Sequence, residues 1–215
     1  MRRVVVLALL AMALPMAAWA NPISFTNQFG GITISGGGIS TVGSELTSFD
    51  GFTPPSGQSL GEVLYSTGAL SSGTIACGVV GVCATFSSTG SIFDVTGRGP
   101  WIKQLIGHDV KGSFTLFTGM FTGPLTWSLT STSDHGNILY YSLSGDLAGT
   151  VWTGRSATGT TTQYFYTTAR AFENKGIAQI QAGGGNIVVP EPGTLGLLGT
   201  GLLGIAGIFR RKMMR

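Results

Sequence analysis

From Ile23 onward, apolar and polar residues alternate in short runs that Gly, Ser or Pro interrupts roughly every 6 to 12 positions. A period of two puts one set of side chains on each face of a strand, so these runs predict half-buried β-strands. The first half of the chain gives candidates at 23–29, 32–35, 62–66, 74–77, 83–87 and 91–95. Pro54 and Pro55 cannot donate ladder hydrogen bonds, which places 54–57 in a loop. The stretch 101–106 (WIKQLI) is the one short helical turn expected. Beyond it the alternation is cleaner. Leu125, Trp127 and Leu129 share one face and Thr126, Ser128 and Thr130 the other; Leu139, Tyr141 and Leu143 behave likewise, and further strands are expected at 161–168 and 177–181.

A pattern of apolar residue, any residue, glycine occurs twice, 26 residues apart: Phe117, Gly119, Phe121, Gly123, Leu125 and Leu143, Gly145, Leu147, Gly149, Val151. Two copies read as paired strands within one domain, with glycines that let neighbouring groups approach closely. The fold expected is all-β, an antiparallel sandwich or barrel-like domain over 21–182. Gly183, Gly184, Gly185 and Asn186 read as a flexible tether, giving a Gly-rich linker at 183–188.

The two ends of the chain have a different grammar. Met1, Arg2 and Arg3, an apolar run over 4–14, and Ala18 and Ala20 flanking Trp19 form a secretory signal peptide over 1–20, with cleavage after Ala20. At the other end Pro190, Glu191 and Pro192 open the tail, an uncharged run of 18 residues extends from Pro192 to Phe209, and Arg210, Arg211, Lys212 and Arg215 follow. A helix over 194–209 would reach about 24 Å, enough to span a hydrocarbon core of about 30 Å with thinning or snorkelling. The cations hold that end in the cytoplasm, so everything before Pro190 is expected outside it. Residues 189–215 resemble the PEP-CTERM sorting signal, the tail recognised by exosortase, a membrane-embedded cysteine protease-transpeptidase of Gram-negative bacteria. The resemblance implies export across the inner membrane, transient anchoring, processing near Pro190, Glu191 and Pro192, and delivery to the cell surface or extracellular matrix. Gly193 stands where the family more often has Ser. The family is sometimes named after ice-binding carriers, but the flat repeat array of an ice-binding face is missing.

Removing the ends changes the charge argument. The whole chain is +3, but residues 21–190 hold 8 acidic and 6 basic residues, a net of −2, which excludes a basic nucleic-acid-binding surface. Those 170 residues contain 24 Thr, 20 Ser and 29 Gly, so hydroxyls rather than charges keep the body soluble.

Candidate chemistry is sparse. Cys77 and Cys83, the only cysteines, suit a disulfide closing a short hairpin in an exported protein. Gly57, Ser59 and Gly61 match the G-x-S-x-G nucleophile elbow, but a loop precedes and a strand-like run follows, against the strand-turn-helix the elbow needs. Gly199, Gly201 and Gly204 fit a dinucleotide fingerprint inside the apolar tail, where no βαβ unit exists; Gly196, Thr200 and Gly204 make better sense as a close-packing helix face. His108 beside Asp109 and His135 beside Asp134 offer no triad or metal spacing, and residues 134–137 read as a hairpin turn. Among the aromatics Trp101, Trp127, Trp152, Tyr140, Tyr141, Tyr164 and Tyr166, core packing is expected for Trp127 and Trp152, with Tyr140 or Tyr164 outward.

These readings describe a non-enzymatic exported protein with no catalytic residues, cofactor or metal. Signal peptidase and exosortase are its processing partners, the inner membrane its transient anchor and exopolysaccharide its expected associate. The alternatives are a secreted hydrolase and a carbohydrate-binding module.

Overall fold

Branched and aromatic side chains at every second position pack on one side of a pleated wall while hydroxyls face water on the other, and that is how these runs resolve into strands. The computed structural model describes residues 22–189 apart from 56, 134–136, 170, 171 and 173–175. Pro22–Gln28 (β1) and Gly31–Ser35 (β2) lie along the same edge of Ile177–Val188 (β13) in one running register, Asn27 opposite Gly183 and Gly31 opposite Gln179. They form one long stave kinked at Phe29 and Gly30, which take φ of 60° and 82°.

The construction repeats. Gly38–Val42 (β3) runs into Ser44–Phe49 (β4), Gly61–Ser66 (β5) into Leu70–Gly73 (β6), Gly81–Phe86 (β7) into Ile92–Arg98 (β8), and Ser113–Phe121 (β9) into Leu125–Ser133 (β10). Ile138–Val151 (β11), Ser156–Thr168 (β12) and β13 are unbroken. Pairing continues through the kinks: Gly68 N donates to Ser87 O and Ser87 N to Ala69 O, both at 2.8 Å, and Thr122 N donates to Asp146 O at 3.0 Å. Each stave pairs antiparallel with its predecessor in the chain, and β13 pairs with β1, Val188 opposite Pro22, to close the ring. Of the sandwich and the barrel, the barrel forms. It is an up-and-down antiparallel barrel of eight staves, closed by β1, β4, β5, β8, β9, β11, β12 and β13 and lengthened by β2, β3, β6, β7 and β10.

Aromatics fill the interior: Phe25, Phe49, Tyr65, Phe86, Phe93, Phe117, Phe121, Trp127, Tyr141 and Phe165 are all fully buried. Burial of side chains this size contributes about 1.5–3 kcal/mol each. Inward glycines make room for them. Gly119 pairs with Gly149, and a Cβ on either would stand 2.8 Å from the Phe117 ring; one on Gly145 would stand 2.9 Å from Phe121. The glycine-alternating pattern is thus a packing device, and its two copies pair with each other, Phe121 opposite Leu147 and Phe117 opposite Val151.

The Gly-rich linker expected at 183–188 is corrected by the same logic. Gly183, Gly184 and Gly185 lie inside β13, paired with β1 on one edge and β12 on the other. A Cβ on Gly185 would stand 2.8 Å from the Phe25 ring, and one on Gly183 would overlap Gln163. The strand expected at 74–77 is likewise displaced to β6, and β3 and β4 form where no strand was expected. Pro22–Val189 is one compact unit.

The strand ends define two mouths. At the mouth shared by Pro22 and Val188, Trp101–Ile106 (α1) ends at Gly107 (φ 84°), and Trp101 Nε1 donates to Leu60 O (3.0 Å) and Arg98 O (2.7 Å). Trp101 packs on Phe49 and Phe52, and the half-buried Trp152 meets Phe49 edge-on. At the opposite mouth the Cys77–Cys83 disulfide forms as expected, with Cα atoms 5.6 Å apart, and Trp127 Nε1 donates to Ile75 O at 3.0 Å. Phe172 stacks there on Tyr141. Among the described residues no helix is long and apolar enough to cross a membrane, and the span expected at 194–209 lies outside them.

Candidate functional site

The residues singled out for chemistry are not brought together. Ser59 sits in the loop leading into β5, where Arg98 Nη2 donates to its hydroxyl at 3.0 Å, and a strand rather than a helix follows. His108 lies exposed just after α1, its Nδ1 3.4 Å from the carbonyl oxygen of Asp109, whose carboxylate pairs with Lys103 at 2.9 Å. Asp134 and His135, with the turn expected at 134–137, lie outside the described residues, between the paired Ser133 and Ile138. No group of three or more potential metal ligands occurs among the described residues.

Inside the barrel a polar cluster sits among the aromatics. Asn27 Nδ2 donates to Ser44 Oγ (2.6 Å) and Gln163 Oε1 (2.8 Å); Gln163 Nε2 donates to Asn27 Oδ1 (3.1 Å) and Thr161 Oγ1 (3.0 Å); Thr161 Oγ1 donates to Gly184 O (2.8 Å). These bonds tie β1, β4, β12 and β13 together across the ring closure. The buried polar atoms satisfy one another, which is a structural role. Tyr65 differs: its hydroxyl is buried without a hydrogen-bond partner. Burial pushes the Tyr65 pKa well above the ordinary tyrosine value; burial also raises that of Tyr141, partly offset by the nearby Cys77 backbone.

The outer wall is where the structure gathers recognisable groups. Because Tyr141, Leu143, Phe165 and Thr167 point inward, Tyr140, Ser142 and Ser144 of β11 and Thr162, Tyr164 and Tyr166 of β12 share the outer face. Tyr140 lies directly opposite Tyr166, Ser142 opposite Tyr164, and Ser144 opposite Thr162, whose hydroxyls are 3.1 Å apart. Tyr164 is 46% and Tyr166 39% exposed, against a wall otherwise dominated by threonine and serine. The Tyr166 hydroxyl donates to Gln179 Oε1 on β13. Beside it a depression of about 230 Å³ is lined by Ile138, Tyr166, Thr168, Ile177 and Gln179, among others. Tyr164 is outward as expected and Tyr140 half-exposed. Tyr166, named among the aromatics without an expected facing, and Gln179, which was not singled out, follow from the alternation along β12 and β13 once Phe165, Ala178 and Ile180 are placed inside.

The remaining site is the junction with the tail. The closing strand is paired on both edges up to Val188, opposite Pro22 on β1 and Thr158 on β12, so both ends of the barrel chain leave from one mouth. Pro190, Glu191, Pro192, Arg210, Arg211 and Lys212, like Ala18 and Ala20, lie outside the described residues. Comparison with curated proteins and with solved structures gives no match. Comparison with protein families matches residues 188–212 to the PEP-CTERM protein-sorting motif. From the last residue of its closing strand onward the chain therefore carries a PEP-CTERM protein-sorting motif, which supports an exported protein, transiently anchored in a membrane and sorted by exosortase.

Proposed function

We propose that this chain is a non-enzymatic cell-surface or matrix protein of a Gram-negative bacterium. Signal peptidase removes residues 1–20, the 194–209 segment holds the barrel at the inner membrane, and exosortase releases it near Pro190, Glu191 and Pro192 for association with exopolysaccharide. The observation that carries this reading is the sorting motif joined directly to the closing strand of a barrel. Support for a non-enzymatic role comes from an interior filled with aromatic side chains and an outer wall that is hydroxyl-rich and charge-poor.

Fractionation of strains with and without exosortase tests it. Protein is expected outside the cell in the first and retained in the inner-membrane fraction in the second; the same distribution in both strains would count against exosortase-dependent release. The alternative of a secreted glycan or ester hydrolase predicts activity that disappears in Ser59→Ala or His135→Ala variants.

A further inference from the structure

We propose that the outer wall around Tyr140, Tyr164 and Tyr166 is a binding platform for neutral polysaccharide. The proposal rests on the matrix-associated reading for where such a polymer is met, and on the wall itself for how it binds.

Large aromatics are costly to leave in water, yet three are collected on adjacent staves whose other outward positions are mostly threonine and serine. Tyr164 and Tyr166 stand two residues apart on β12, about 7 Å along the strand, and Tyr140 lies about 5 Å across from Tyr166. Those spacings are comparable to one or two pyranose units. The ring-face C–H groups of a sugar pack on an aromatic face while its hydroxyls reach the polar groups around it, here Ser142, Thr162 and Gln179. The bond from Tyr166 to Gln179 holds one ring in place before any ligand arrives, which lowers the ordering cost of binding. The depression beside Tyr166 gives the chain a place to enter.

Charge selects the polymer. Residues 125–133, 138–145, 156–168 and 177–189 contain no Asp, Glu, Lys or Arg, so four neighbouring staves present an uncharged surface up to Asp146. Among the described residues of these staves an anionic polysaccharide or a nucleic acid finds no cation, whereas an uncharged glycan loses no ionic hydration by docking.

The test uses the exported, processed protein and measures retention on insoluble cellulose, xylan, mannan and cross-linked dextran, with alginate as the anionic probe. Saturable retention is expected on at least one neutral polymer, unchanged by raising salt to about 0.5 M because no ion pairs are involved. Tyr164→Ala and Tyr166→Ala are each expected to weaken it about tenfold with an unchanged unfolding midpoint, while Tyr164→Phe, which keeps the ring, retains it. No retention on any neutral polymer, retention indifferent to both alanine substitutions, or retention on alginate alone that salt removes would each overturn the proposal. Concentration-dependent dimerisation abolished by Tyr164→Ala would also overturn it, because the face would then serve a second copy of the chain. Correct export without glycan binding defeats this proposal alone; glycan binding without exosortase-dependent release defeats only the sorting account.

Discussion

Gly183 shows how a single position decides the wall. A Cβ there would stand 1.9 Å from Gln163 Oε1 and 2.6 Å from Asn27 Oδ1, in the middle of the buried amide pair. Gly183→Ala is therefore expected to destabilise the barrel by about 2–4 kcal/mol, read in urea unfolding, because overpacking and the loss of buried hydrogen bonds add. The orphan hydroxyl of Tyr65 predicts the opposite sign. Tyr65→Phe removes an unsatisfied buried group and is expected to leave stability unchanged or raise it by about 1 kcal/mol. The buried Tyr65 and Tyr141 also predict a pH effect. In the unfolded chain these tyrosines ionise near the ordinary value of 10.0, while burial holds the folded ones neutral, so above that pH the folded state binds more protons. Their contribution to stability is then constant below about pH 9 and falls above 10, by up to about 1.4 kcal/mol per pH unit for each tyrosine that stays protonated. Urea titrations at several pH values check this; the fall should be shallower in Tyr65→Phe. At this scale the sequence was legible where alternation sufficed: Trp127 inside and Tyr164 outside both follow from their neighbours. It was misleading at Gly183–Gly185, where composition speaks of flexibility and only the Phe25 ring and the Gln163 amide, distant in sequence, explain why no side chain fits.

At the scale of elements, the kinks organise the barrel. Gly30 and Gly43 face each other across the first hairpin so closely that a Cβ on Gly30 would stand 2.4 Å from Gly43 O. The staves bend there without losing their partners, because β2 and β3 resume the pairing beyond. This is why the sequence reads as many short strands while the fold has eight long ones: glycines that punctuate the pattern bend the wall instead of ending it. The period of two was visible, but the pairing register that joins 22–28 to 31–35 along one neighbour was not. The disulfide was legible from compartment and spacing, and it closes the connection between β6 and β7 at the mouth opposite Pro22 and Val188. On the loop-entropy estimate, replacing Cys77 and Cys83 by Ser costs about 2 kcal/mol. A lowered unfolding midpoint, with reductant producing the same drop in the unsubstituted protein, is the expected result.

For the molecule as a whole, closure and sorting meet at one place. Val188 pairs on both edges and also begins the stretch that matches the sorting motif, so only Val189 separates the barrel wall from Pro190. The flexible spacer expected at 183–188 is instead part of β13, paired on both edges. The platform of tyrosines lies toward the mouth opposite Pro22 and Val188, where β10 ends and β11 begins. Sorting was legible in the tail because its three parts are contiguous in sequence; the tyrosine platform was not, because it is assembled across two staves. Intact-mass measurement of the protein recovered outside the cell tests the central claim most directly. A chain beginning at Asn21 and lacking the apolar and basic residues beyond the motif, in an exosortase-positive strain only, is the expected result. A chain that retains residues 194–215 in that strain, or ends identically without exosortase, would contradict it.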